Sequence, residues 1–148
     1  MIEINDKLID ELLKKASANP RLRQNYDLRT TEDDTSQRML NALMPGTQVP
    51  IHHHEETAET VVCISGTIDE VIYRPVALPT AAVDENMSRG MDAQDVMRPR
   101  MGFVEEQRIR LCPAEGKYGC QVPKGAWHTV EVLEPSVIFE AKDGKYIG

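Results

Sequence analysis

The sequence lacks any apolar run approaching the ~20 residues with which a helix crosses a bilayer, so no helical membrane span is expected. It also lacks a surplus of positive charge. With 17 Lys and Arg against 24 Asp and Glu, the formal net charge is −7. Neither a general nucleic-acid surface nor an anionic-membrane surface is expected, since both need a basic face. The first residues, MIEINDKLIDELL, have neither the basic n-region nor the apolar h-region of a signal peptide, which makes the cytoplasm the expected location. Cysteine is scarce: Cys63, Cys112 and Cys120 are odd in number and show no C-x-x-C spacing. That excludes a disulfide framework and a cysteine-built zinc site and predicts reduced thiols, Cys63 being a small buried hydrophobe. No internal repeat or low-complexity tract is present.

What the chain does have is enough length and apolar content, 148 residues at 41% hydrophobic, for a single domain with a real core. Residues 1–20 read as one amphipathic helix. Ile4, Leu8, Ile9, Leu12, Leu13 and Ala16 recur at helical spacing, Asn5 or Asp6 can cap it, and Pro20 closes it. Its expected role is to cover a sheet face. Polar residues 30–36 form a loop, and Gln37 to Leu43 alternates as a first barrel strand before the Pro45-Gly46 turn. Further short strands follow at 60–64, 67–73, 102–111, 119–122, 128–133 and 137–142. The barrel strands thus occupy 37–74 and 102–142, in a mainly β, antiparallel sandwich or barrel with an N-terminal α-helix. Residues 75–101 break this rhythm and read as an insertion, with a weak helix at 84–96 and too few large apolar side chains to offset the entropy of ordering. A lid, a dimer arm and a disordered segment are the roles open to it.

The chemistry concentrates between Gly46 and Gly66, in GTQVPIHHHEETAETVVCISG. His52 and His54 are two residues apart, so an extended strand sends both imidazoles off one face toward one ion. Glu59 is at odd separation from both, and residues 55–58 must bend to bring it to the same face. The same parity turns His53 away. A third imidazole comes from His128, which follows the Pro-Lys-Gly turn and opens the alternating run His128, Val130, Val132. Arg21, Arg23 and Arg38 lie just before and on the first predicted strand and are candidates for an anionic ligand, because a guanidinium fork matches carboxylate or phosphate.

These spacings resemble the two cupin motifs. Gly46, His52, His54, Glu59 and Gly66 match the first without a departure, and Pro123, Lys124, Gly125 and His128 match the second, whose leading glycine falls one place early at Gly116 and whose terminal asparagine is replaced by Val132. The flanks PRLRQN, QRMLNALMPGT and PKGAWHTVEVLEPSVIFEAKDGKY further resemble the WbuC family of cupin-fold metalloproteins found with polysaccharide-biosynthesis genes. The resemblance implies a cupin jelly roll that holds one divalent transition-metal ion (Zn, Fe, Mn, Ni, Co or Cu) on His52, His54, Glu59 and His128. It also implies a homodimer and a link to surface-polysaccharide synthesis. A His and Glu set without thiolates is unlike a structural zinc site, and if the ion is five- or six-coordinate one or two positions remain open for a small anionic or sugar-like ligand. Three roles stay open: a metal-dependent enzyme of isomerase, epimerase or oxygenase type, a binding or sensing module, and a metal that braces the barrel. Glu55, Glu56 and Tyr118 are the candidate proton-transfer groups.

Overall fold

The computed structural model describes residues 1–79 and 100–144. Among the described residues there is one α-helix, α1 (Asp6–Ala18), and eight strands: β1 (Arg23–Asp27), β2 (Ser36–Leu43), β3 (Glu59–Ser65), β4 (Ile68–Ala77), β5 (Met101–Leu111), β6 (Gly119–Val122), β7 (Trp127–Val132) and β8 (Ser136–Asp143). All pairings are antiparallel. Five strands form one sheet in the order β1-β2-β8-β3-β6, and three form a second in the order β5-β4-β7. The sheets pack face to face. Leu43, Val61, Cys63, Val122 and Ile138 of the first meet Ile68, Leu111 and Val130 of the second in one buried cluster.

The helix forms where the periodicity predicts it. The Asn5 side chain accepts a hydrogen bond from the Leu8 N–H at 3.0 Å and caps the first turn. Leu12 and Ala16 are buried against Leu40, Ala42 and Val137 on the outer face of the five-stranded sheet. This covers one side of β2, so β2 is buried on both faces: Leu40 and Ala42 meet the helix, while Gln37, Met39, Asn41 and Leu43 point to the interior of the sandwich. Inward and outward rows on β3 separate in the same way, with Glu59, Val61 and Cys63 buried and Val62 exposed.

Two boundaries differ from the sequence reading. The first strand is not at Gln37 but at Arg23–Asp27, paired with β2 from Arg23 opposite Leu43 to Asp27 opposite Met39. Its sequence, RQNYD, carries almost no apolar alternation because its inner face borders a polar cleft, and pattern reading passes over such a strand. The strand expected to end at residue 74 continues to Ala77, where Pro75, Val76 and Ala77 pair with Phe103, Gly102 and Met101. Its other neighbour, β7, stops opposite Tyr73, so Pro75 lies where β4 is paired on one side only and its missing N–H is tolerated. The predicted helix at 84–96 and most of the insertion at 75–101, with its expected disorder, fall on residues 80–99, outside the described residues; its described ends depart from that expectation, residues 75–77 belonging to β4 and residue 101 to β5.

Gly66 illustrates a position where only glycine fits. It has φ +91°, and a Cβ there would lie 2.2 Å from Ser136 Oγ and 2.4 Å from the Pro135 carbonyl oxygen. The β3–β4 turn and the start of β8 are locked together at this point by the Thr67 N–H, which donates to Ser136 Oγ at 3.0 Å.

Candidate metal centre and ligand cleft

The histidine segment is held by β7. The backbones of His52 and His128 exchange hydrogen bonds, 3.0 Å from the His52 N–H and 2.8 Å from the His128 N–H, and the Gly125 N–H donates to the His54 carbonyl at 2.8 Å. The Pro-Lys-Gly turn therefore fixes the backbone of both histidine motifs at once. Residues 55 and 56 bend, as strand parity requires, and the chain re-enters as β3 with Glu59 as its first residue, 4% exposed. The ligating atoms of His52, His54 and His128 lie within 4.8 Å of one another. Their ring centroids are 5.2 Å (His52–His54), 4.2 Å (His52–His128) and 5.5 Å (His54–His128) apart.

The rings are oriented by their other nitrogens. His52 Nδ1 is 2.9 Å from the Pro50 carbonyl and His128 Nδ1 is 2.9 Å from the Ala126 carbonyl, contacts in which Nδ1 carries the proton and Nε2 keeps its lone pair. The Nε2 atoms of His54 and His128 are buried without a hydrogen-bond partner. Glu59 reaches both, its Oε2 3.0 Å from His54 Nε2 and its Oε1 3.7 Å from His128 Nε2, off the alignment a hydrogen bond needs. Buried lone pairs with no donor, converging beside a buried carboxylate, are the arrangement a divalent transition metal fits.

The electrostatics follow from burial and these neighbours. Burial acts to raise the Glu59 carboxyl, but His128 and His54 outweigh it and hold it below the usual carboxylate range. Burial lowers His52, whereas for His128 the opposing pull of Glu59, helped by the Ala126 carbonyl, wins and raises it. Two further carboxyls stand nearby. Burial pushes Glu70 up to about 8, and burial together with the Glu59 charge pushes Glu140 upward.

Two spaces meet at the cluster, both lined by His52 and Glu59. One, of about 340 Å³, is lined by Gln37, Met39, Asn41, Glu140 and Lys142 on one side and by His52, His54 and Glu59 on the other, with Asn25 at its border. The other, of about 150 Å³, runs inward past His52, Glu59 and His128 to Glu70 and an apolar lining that includes Val61, Val130 and Ile138.

The arginines separate. Arg23 lines the inner space, its Nη1 donating to the Gln48 carbonyl at 2.7 Å. Arg38 shares strand parity with Leu40 and Ala42, which places it on the face away from the cluster, where it pairs with Asp34 at 2.6 Å. Arg21 is exposed and lines neither space. His53 turns away as expected and stacks 3.9 Å from the Trp127 ring. Tyr118 is 63% exposed, Glu55 and Glu56 are exposed, and none of the three lines the cleft. Cys63 is 2% exposed and its thiol, pushed up to about 11 by burial, donates to the Ser65 carbonyl at 3.3 Å, as a packed side chain and not a nucleophile.

Sequence reasoning passes over Gln37, Asn41, Glu70, Glu140 and Lys142. The available signal is β2 itself, whose apolar Leu40 and Ala42 alternate with amides on the opposite face. A strand with one apolar face and one amide-bearing face, next to a histidine motif, marks a cleft wall.

The sequence matches the family described as "Domain of unknown function (DUF6016)" over residues 4–77, from α1 through β4 and including His52, His54 and Glu59, and the chain belongs to that family. No curated protein matches it. Among solved structures it is similar to TT1209 from Thermus thermophilus, with a TM-score of 0.55 and 20% identity over 98% of this chain and 100% of that one. It is also similar to KdgF from Halomonas sp., with a TM-score of 0.52 and 13% identity over 84% and 81%. A third likeness is the conserved SPY1581 protein of unknown function from Streptococcus pyogenes, with a TM-score of 0.52 and 10% identity over 100% and 91%. At these identities the likeness shows the fold alone, a mainly β antiparallel sandwich.

Proposed function

We propose that this protein is a metal-binding cupin that holds one divalent transition-metal ion on His52, His54, His128 and Glu59 and acts on a small anionic or sugar-type ligand in the cleft beside it. The observation that carries this reading is the convergence of three imidazoles, two with buried unpartnered Nε2 atoms, at the wall of a 340 Å³ space. A bound ion would supply Lewis-acid polarisation of a ligand oxygen. The chain's own groups would supply the rest: Arg23 faces the inner space as a guanidinium for an anionic end, and Glu70 and Glu140 are carboxyls whose raised pKa values suit proton transfer near neutral pH. Those two carboxyls favour an enzyme over a passive binder. The WbuC resemblance of the flanking segments supports a cytoplasmic role in surface-polysaccharide (O-antigen or lipopolysaccharide) synthesis. Val62, 36% exposed on the outer row of β3, supports a homodimer through that face.

The metal is tested on tag-free protein by elemental analysis after dialysis. One equivalent in the wild type and less than a tenth of that in His54→Ala and His128→Ala is expected, since losing one of so few ligands removes most of the affinity. Equal metal in all three proteins would refute the site.

A further inference from the structure

The wall of the cleft opposite the histidines carries two side-chain amides whose oxygens the protein leaves unpaired. Gln37 is 4% exposed and lines the cleft; its Oε1 is buried without a partner, and no hydrogen bond to its side chain forms among the described residues. Asn41, further along the same face of β2, gives its Nδ2 to Glu140 Oε1 at 2.6 Å, which fixes the amide and leaves its Oδ1 buried and unpartnered. A buried amide oxygen without a donor costs free energy, so a fold carrying two of them on one strand face, both toward an open space, has positioned them for something that enters it.

The register says how far that something reaches. Gln37 pairs with Lys142 across β2 and β8, and Lys142 pairs with Glu59 across β8 and β3. Gln37, Lys142 and Glu59 thus stand on one rung of the sheet, and Gln37 is two strand spacings, about 10 Å, from the metal-site carboxylate. We propose that Gln37 and Asn41 form a hydroxyl-reading wall, and that the ligand of this cleft is a polyhydroxylated chain of about six carbons lying across β2 and β8, one end at the histidine cluster. The chemistry follows from the donors required. The Asn41 oxygen accepts only, so the ligand presents an O–H or N–H there; the Gln37 amide both donates and accepts, which a hydroxyl satisfies at either end. An aliphatic carboxylate would leave both amide oxygens unpaired and is rejected for that reason. This inference deepens the reading of the cleft as a ligand site and rests on it.

The test titrates metal-loaded protein with D-glucitol, D-gluconate and hexanoate by calorimetry, with metal content measured before and after. Binding of glucitol or gluconate at least ~10-fold tighter than hexanoate is expected, because each lost hydrogen bond to a buried amide is worth about that factor. Glucitol binding identifies a neutral polyol ligand, and gluconate alone identifies a sugar acid. Gln37→Leu should weaken the tighter of the two by about tenfold and leave metal content unchanged, while its melting temperature rises, since the substitution removes an unpaired buried amide. Hexanoate binding as tightly as both polyols, unaltered polyol binding by Gln37→Leu, or a fall in its melting temperature would each overturn the proposal. If polyols bind while His54→Ala and wild type carry equal metal, the metal reading fails and the hydroxyl wall stands; if metal binds and polyols do not, the hydroxyl wall fails and the metal reading stands.

Discussion

At the scale of single residues, the interior of this sandwich is unusual in how much acid it keeps. Glu59, Glu70, His128 and Glu140 all line one space, and the charge on each sets the others. Glu70 is 5% exposed and lies on β4 opposite Val130, with the imidazole of His128 and the carboxyls of Glu59 and Glu140 acting on it and the Cys120 thiol on its other side. Burial raises its pKa from 4.5 to about 8, the two carboxylates adding to the effect and His128 opposing it. Between these two values the folded protein holds a proton that the unfolded chain has released. Stability is therefore highest below the unfolded value and falls as pH rises toward about 8, above which the penalty is constant. In metal-free protein, Glu70→Gln should remove this part of the slope. Chemical denaturation at pH 5 and pH 8.5 should show the variant gaining on the wild type at the higher pH, by on the order of a few kcal/mol. A gain independent of pH would mean that Glu70 is not the group being titrated.

At the scale of elements, β2 couples the helix to the cleft, because one of its faces belongs to each. Leu12 packs from α1 against the outer side, so Leu12→Ala should cost about 2–5 kcal/mol. Metal content measured on the folded fraction should stay at the wild-type level, since the sheet separates that contact from the cluster. Loss of metal from folded Leu12→Ala would show that the helix positions the site. The same strand explains what is legible in the sequence. The helix, seven of the eight strands and the bend before Glu59 are readable because each has an apolar row of fixed period or a turn residue that only one geometry accepts. Strand β1 is not, because Arg23, Asn25 and Asp27 face polar surroundings and give periodicity nothing to register. The convergence of the three imidazoles and Glu59 is legible because strand parity and the turns at residues 55–56 and 123–125 set their directions from spacing along the chain. Gln37, Asn41, Glu140 and Lys142 are not, because what brings them to the cleft is lateral register between β1, β2 and β8, over separations of up to 99 residues. Arg38 is misplaced by the sequence for a complementary reason: its chemistry suits an anion, and strand parity puts it on the face away from the histidine cluster.

At the scale of the whole molecule, the candidate metal centre lies where the two sheets meet. Glu59 begins β3 in the five-stranded sheet, His128 is on β7 in the three-stranded sheet, and His52 is bridged to His128 by backbone hydrogen bonds. The two sheets are joined by connections and by side-chain packing, without a hydrogen-bonded ladder between them among the described residues. An ion held on both sides would act as a staple between them, binding the folded chain and not the unfolded one. At a free metal concentration 100 to 1,000 times the dissociation constant this stabilises the fold by about 3–4 kcal/mol, which for a domain of this size raises the melting temperature by roughly 5–15 °C. Chelation should lower the melting temperature by that amount, and Glu59→Gln, which keeps the three imidazoles but removes the ligand from the first sheet, should abolish most of the difference. The pH dependence has a definite sign. Ligating imidazoles must be neutral, so the metal-dependent increment is full above the histidine range and disappears as pH falls through it. Scanning calorimetry of metal-loaded and chelated protein from pH 5 to pH 8 reads this directly. A melting temperature insensitive to chelation across that range would mean that no ion joins the sheets, and that the buried histidine nitrogens are met in some other way.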